Sequence, residues 1–220
     1  MSYQEVTTRL ARAAADFGLP PQPLPTLIVV TKNRTVEEIL PLLKAGQRDF
    51  GENKVQEAAS KWPALKAQYP DIKLHLIGPL QSNKTKEALS LCDVIHTLDR
   101  DSLLEAVQKY AQPHHRFLVQ VNTGNEPQKA GIPPLEAPAF IQKAKNALGK
   151  QLVGLMCIPP VNENPAPHFG LLRLLAKNDN LQELSMGMSN DYPLAAAMGA
   201  TYVRVGSAIF KDGEKISGTL

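Results

Sequence analysis

The chain has 220 residues, 43% hydrophobic and 20% charged, which is ordinary for a globular protein and enough to build a core without disulfide or metal staples. The formal charge of +3 is too small for a dedicated electrostatic nucleic-acid binder, and no apolar run approaches the roughly 18 residues of a membrane span. Cys92 and Cys157 stand too far apart for a CxxC pattern, and the acid-bearing N-terminal segment lacks a secretory core, so a reduced, cytoplasmic protein is expected.

Glycine and proline are spread along the whole chain rather than gathered in one linker, which predicts many short elements. From Ser2 to Phe17 the apolar residues Val6, Leu10, Ala13, Ala14 and Phe17 recur at helical spacing, and Gly18 closes the segment. Pro20, Pro21, Pro23 and Pro25 then forbid helix and lead into Leu27-Ile28-Val29-Val30, an apolar run that reads as a strand buried on both faces. Lys32 follows it. Thr35 to Ala45 reads as a helix, with Thr35 as cap and Gly46 as stop.

The same unit recurs to the end of the chain. Further strands are predicted at Asp49-Phe50, Lys73 to Ile77, Val94 to Thr97, Phe117 to Val121, Leu152 to Met156, Leu184 to Met188 and Tyr202 to Val205. Helical patterns lie between them at Val55 to Ala67, Thr85 to Leu91, Ser102 to Tyr110, Pro134 to Leu148, Pro167 to Ala176 and Tyr192 to Met198, with a further short helix at Ser207 to Lys211. Alternating strands and helices imply parallel pairing with right-handed crossovers. Eight such strands predict a (β/α)8 TIM barrel with an additional N-terminal helix, formed as a single domain over residues 1–220. An open doubly wound sheet has the same periodicity and stays as the alternative.

In a parallel barrel, ligand chemistry collects at the carboxyl ends of the strands. Lys32 ends the first. An amine at a poorly hydrated rim is disfavoured as ammonium, which suits attack on a carbonyl; the other reading is a solvated lysine closing a strand. Ser189 and Gly206-Ser207 fall in the loops after strands seven and eight, where barrels often bind phosphate, so a phosphorylated ligand is inferred. Asn190 and Asp191 read as helix caps. Arg204 stands between Val203 and Val205 and needs either a carboxylate on a neighbouring strand or a ligand. His75 faces away from Leu74 and Leu76, as core filling or pocket lining. His114-His115 reads as a solvated pair, and the two cysteines as buried thiols. GxxxxGK[ST] and GxGxxG are both absent.

The ordered segments VVTK (29–32), FGENKVQEA (50–58), HLIGPLQSNK (75–84), GLMCIPP (154–160), LSMGMSNDY (184–192) and GATYVRVGSAIF (199–210) resemble the pyridoxal phosphate homeostasis protein family. That family looks like the barrel domain of alanine racemase without its second, β-rich domain. The resemblance implies pyridoxal 5′-phosphate held covalently by Lys32 as a Schiff base and Arg204 facing the pyridine nitrogen. It implies phosphate on Ser189, Gly206 and Ser207, with Asn53, His75 and Met188 lining the pocket. Arginine cannot give the nitrogen a proton, so the bound cofactor is a poorer electron sink. The chain departs from the family at Lys54 and Lys211, where an aromatic residue and a glycine are common.

The expected function is therefore to carry or buffer pyridoxal phosphate, as a non-catalytic monomer delivering to pyridoxal-phosphate-dependent apoenzymes, without nucleic acid, membrane or metal. A length used up by one barrel leaves no residues for a second catalytic domain. The alternatives are an amino-acid racemase, for which no second acid/base is evident among Tyr110, Tyr192 and Tyr202, and a protein-binding regulator that senses the cofactor.

Overall fold

Apolar runs flanked by glycine and proline become strands here because both of their faces are covered. The computed structural model describes residues 2–210. Among them, eight parallel strands close into a barrel in sequence order. They are β1 (Thr26–Val30), β2 (Asp49–Glu52), β3 (Lys73–Leu76), β4 (Val94–Leu98), β5 (Arg116–Val121), β6 (Leu152–Cys157), β7 (Glu183–Ser185) and β8 (Tyr202–Val205). Closure is made by β1 against β8, with Ile28 opposite Arg204 and Val29 opposite Val205. That register sets the strand leading to Lys32 beside the strand carrying Arg204. The predicted barrel is the one formed, and the open sheet is not.

Helix α1 (Tyr3–Asp16) precedes the barrel and is started by a capping box: Ser2 Oγ accepts the Glu5 amide at 3.2 Å while the Glu5 carboxylate takes the Ser2 amide. The crossovers are α2 (Val36–Lys44), α3 (Val55–Gln68), α4 (Thr85–Leu89), α5 (Asp101–Tyr110), α6 (Ala137–Leu148), α7 (Pro165–Asn178) and α8 (Tyr192–Ala197). Helix α1 packs on α8 next to the barrel's closing seam. Among the described residues no helix is long and apolar enough to cross a membrane.

The core has two layers. Outward-facing strand residues meet the helices, as where the fully buried rings of Phe50 and Trp62 lie 5.0 Å apart. Truncating a buried ring of this kind to alanine costs about 3–5 kcal/mol. Inside the barrel Ile28, Val94, Leu118, Met156 and Tyr202 form a smaller apolar cluster. The polar residues His75, His96, Ser185 and Arg204 share that interior, each almost fully buried.

Most element boundaries shift by one or two residues, β7 ends at Ser185 instead of Met188, and three further differences have a visible cause. Helix α6 starts at Ala137 instead of Pro134, since Pro133 is taken up in a turn that accepts the Ala137 amide. Helix α7 starts earlier, because Asn164 Oδ1 caps the Ala166 amide at 3.0 Å and Pro165 fits the first turn. The expected helix from Ser207 is a hydrogen-bonded turn, with the Ile209 and Phe210 amides both on the Gly206 carbonyl; Lys211 lies outside the described residues.

Candidate functional site

A cavity of about 650 Å3 opens where β1, β2, β3, β6, β7 and β8 end. Parallel strands all point their carboxyl ends to this mouth, so residues far apart in sequence converge on it. Seven of the eight expected site residues line it: Lys32, Asn53, Met188, Ser189, Arg204, Gly206 and Ser207. His75 does not. It sits inside the barrel, 1% exposed, and lines a different cavity at the opposite mouth. Its inward-facing position in β3 is one layer too deep to reach the carboxyl-end rim.

Lys32 is an exposed residue at the cavity's edge, which matches the reading of a solvated lysine closing a strand and not that of a poorly hydrated rim. The backbone beneath it is held tightly. Lys61 Nζ donates to the carbonyl of Thr31 at 2.8 Å, and the Thr31 hydroxyl donates to Glu52 at 2.7 Å. Lys61 pairs with that carboxylate at 2.7 Å, and the Trp62 indole donates to it at 3.0 Å. The exposed lysine that follows β1 thus stands on a backbone fixed at its base.

Arg204 is 3% exposed. Its guanidinium donates to Ser185 Oγ at 2.6 Å and to the Cys157 carbonyl at 2.8 Å. Among the described residues it has no carboxylate partner, so the neighbouring-strand acid does not exist. Burial pulls its pKa below the usual arginine value, yet arginine stays charged in proteins. A buried cation with only neutral partners is a strong attractor for an acceptor atom in the cavity.

The loops after β7 and β8 form a cup. The Asp191 carboxylate reaches back to the Met188 amide at 2.6 Å instead of capping α8, and this folds Ser189 and Asn190 over the cavity edge. The amides of Ser189, Asn190 and Ser207 carry no hydrogen bond within the described residues. A Cβ at Gly206 would fall 2.9 Å from the Val30 carbonyl oxygen, so only glycine lets β8 turn this close to β1. Gly187 is needed for another reason: its φ is +91°, and a Cβ there would stand 2.5 Å from that of Ala195. Gly187→Ala is expected to destabilise the fold by at least about 2 kcal/mol in urea denaturation, through strain and overpacking together; a loss under about 0.5 kcal/mol would contradict this account of the loop.

Other residues resolve as follows. Lys54 precedes α3, is exposed and does not line the cavity. His114 is exposed, but His115 is buried: the Gln112 amide donates to its Nδ1 at 2.8 Å, which leaves Nε2 to donate to the Leu89 carbonyl at 2.8 Å. The solvated histidine pair is therefore half wrong. Cys92 and Cys157 are buried, and desolvation pushes both thiols up to about 12. Both are unreactive at neutral pH. Sequence reasoning missed the wall made by Ile77-Gly78-Pro79 and Ile158-Pro159-Pro160-Val161, whose signal was their place directly after strands. Among the described residues no group of three or more His, Cys, Asp or Glu side chains is placed to hold a metal ion.

Together these groups can hold a flat polar ring with an anionic tail. The amine can attack an aldehyde, the guanidinium can donate to a ring acceptor, and the free amides can bind a phosphate. Residues 22–213 match the sequence model of the alanine racemase N-terminal domain, which defines the class of this barrel. The curated pyridoxal phosphate homeostasis proteins of Pseudomonas aeruginosa and Escherichia coli are 36% and 33% identical over 216 and 218 residues. Each alignment covers 94% of this chain, and 92% and 93% of those proteins. The chain belongs to the pyridoxal phosphate homeostasis protein family. The solved structure of PipY from Synechococcus elongatus with PLP bound matches with a TM-score of 0.75 at 35% identity, over 93% of this chain and 99% of that one. An alanine racemase of Clostridium difficile matches over 96% of this chain but 57% of its own, at 13% identity and a TM-score of 0.68, and so speaks for the fold alone.

Proposed function

We propose that this protein binds pyridoxal 5′-phosphate covalently through Lys32 and carries or buffers it without catalytic turnover. The observation that carries this reading is the convergence of Lys32, buried Arg204 and the free amides of Ser189 and Ser207 on one cavity. The donor set fits the cofactor's three polar features: its aldehyde, its pyridine nitrogen and its phosphate. The amine of Lys32 holds the aldehyde carbon. Arg204 donates to the ring nitrogen. The cup of Ser189, Gly206 and Ser207 takes the phosphate, with Asn53 and Met188 against the ring. The cofactor, when bound, supplies an electron sink for amino-acid chemistry, and a donor that keeps its proton leaves that sink weak. Support for non-catalytic use comes from this arginine and from the homeostasis names of the relatives.

The unit doing this is one barrel spanning residues 1–220, acting as a cytoplasmic monomer that gives the cofactor to apoenzymes. The test is direct. Protein mixed with pyridoxal phosphate should turn yellow, borohydride should fix the label, and digestion should find it on the peptide containing Lys32. Lys32→Ala should lose the fixed adduct entirely; an unchanged adduct removes Lys32 from this role. Racemisation of alanine well above that of the free cofactor, measured by chiral separation, would turn the reading into an enzyme.

A further inference from the structure

The barrel's interior holds a line of polar side chains that the cofactor reading does not use. Asp49 Oδ1 meets His75 Nε2 at 3.0 Å. His75 Nδ1 meets His96 Nε2 at 2.9 Å, and His96 Nδ1 meets Ser185 Oγ at 2.8 Å. Ser185 Oγ is the atom that accepts from Arg204 at 2.6 Å. Asp49 lines a cavity of about 730 Å3 at the amino-terminal mouth, and Arg204 lines the carboxyl-end cavity. The line therefore runs from one mouth of the barrel to the other.

We propose that Asp49, His75, His96 and Ser185 form a one-way hydrogen-bond chain that orients Arg204 from the opposite end of the barrel, with His96 and Ser185 as its positioning residues. The direction follows from the ends. An ionised carboxylate only accepts, so His75 donates from Nε2. With its proton on Nε2, His75 accepts at Nδ1, and His96 donates from Nε2. Neutral His96 accepts at Nδ1, which leaves the Ser185 hydroxyl to donate there. A guanidinium only donates, and the serine oxygen has a lone pair left to take it. Every link is satisfied in one arrangement of protons, and both histidines carry theirs on Nε2.

Three observations support a fixed chain. His96 is fully buried, and burial, with His75 and Arg204 nearby, pushes its pKa well below the usual imidazole value, so it stays neutral. The Tyr202 ring stands edge-on to His75 at 5.6 Å and to His96 at 5.5 Å, packing against both imidazoles. Arg204 has no carboxylate to hold it, so the serine at the end of the chain and one backbone carbonyl set its plane. Fully satisfied buried networks of this kind rigidify the groups they join.

For its ligand consequence the inference rests on the cofactor reading; the chain itself can be tested without it. Nitrogen-15 NMR of the ligand-free protein should place the protons of His75 and His96 on Nε2. A proton on Nδ1 of either ring overturns the direction. Arg204 guanidinium protons should exchange slowly in the wild type and in His96→Gln, whose amide still accepts toward Ser185 and donates toward His75. They should exchange fast in His96→Leu and in Ser185→Ala, a change small enough to keep the fold should the leucine variant not fold. Equal exchange in wild type, Gln and Ala variants overturns the positioning role. With pyridoxal phosphate added, Ser185→Ala should bind about tenfold more weakly with a displaced visible band, while His96→Gln stays within about threefold of wild type. If the wild type forms no complex, the cofactor reading fails, and the proton positions and arginine exchange still decide the chain.

Discussion

Lys61→Met is expected to cost about 3–5 kcal/mol of stability, the range for breaking a buried ion pair from one side. Glu52 is fully buried, and Lys61 is 8% exposed. The three donors on Glu52 from Lys61, Thr31 and Trp62 all converge on Oε1, and Oε2 has no hydrogen-bond partner. Removing the ammonium leaves a carboxylate deep in the barrel wall with neutral donors only. It also removes the bond from Lys61 Nζ to the Thr31 carbonyl, one residue before Lys32. Urea denaturation should show a lower midpoint at unchanged slope. The double variant Lys61→Met with Glu52→Gln should recover part of the loss, because it no longer buries a lone charge. A single variant within about 1 kcal/mol of wild type would mean that solvent reaches Glu52 after all.

The second large effect is acid destabilisation through the interior histidine. His96 is neutral in the folded protein because burial lowers its pKa well below that of a free imidazole. An unfolded histidine titrates near about 6.5, so below that pH the unfolded chain binds one more proton than the folded one. Stability is therefore complete above about pH 6.5 and falls as pH drops, by about 1.4 kcal/mol per pH unit for this group. From pH 6.5 to 5 the expected loss is about 2 kcal/mol. His115 adds in the same direction, since burial and His114 lower its pKa too. The lowered pKa values of Glu37 and Glu38 act only at more acidic pH, through the normal carboxylate range. Denaturation across pH 5 to 8 should show this slope, and His96→Gln should reduce it by one proton. An unchanged slope in that variant would assign the acid sensitivity elsewhere.

The two predictions concern residues that the sequence left silent, and the reason is physical. Strand and helix formation are governed by local spacing and by breakers. The run Leu27 to Val30, the caps at Ser2 and Thr35 and the glycine stops are all within a few residues of what they control. Eight repeats of that local pattern favoured a barrel over an open sheet, and a parallel barrel puts every strand's carboxyl end on one side. That geometry is why Ser189, Gly206 and Ser207 were legible as a phosphate-binding rim from position alone, whereas Lys32 by position read first as a solvated lysine closing a strand.

What the sequence by itself determined is thus the alternation, which favours a barrel without excluding an open sheet, and the residues that end its strands. Tertiary structure alone decided depth and partnership. It placed His75 beneath the rim against His96, gave Arg204 a serine and a carbonyl in place of an acid, and buried His115 on the Leu89 carbonyl. It also joined Lys61 to Glu52 under Lys32. Several of these pairings join residues 19 to 47 positions apart, and strand register with barrel closure chooses them. A side chain's own neighbours in sequence say which face it takes; only closure says how deep that face lies and what stands opposite.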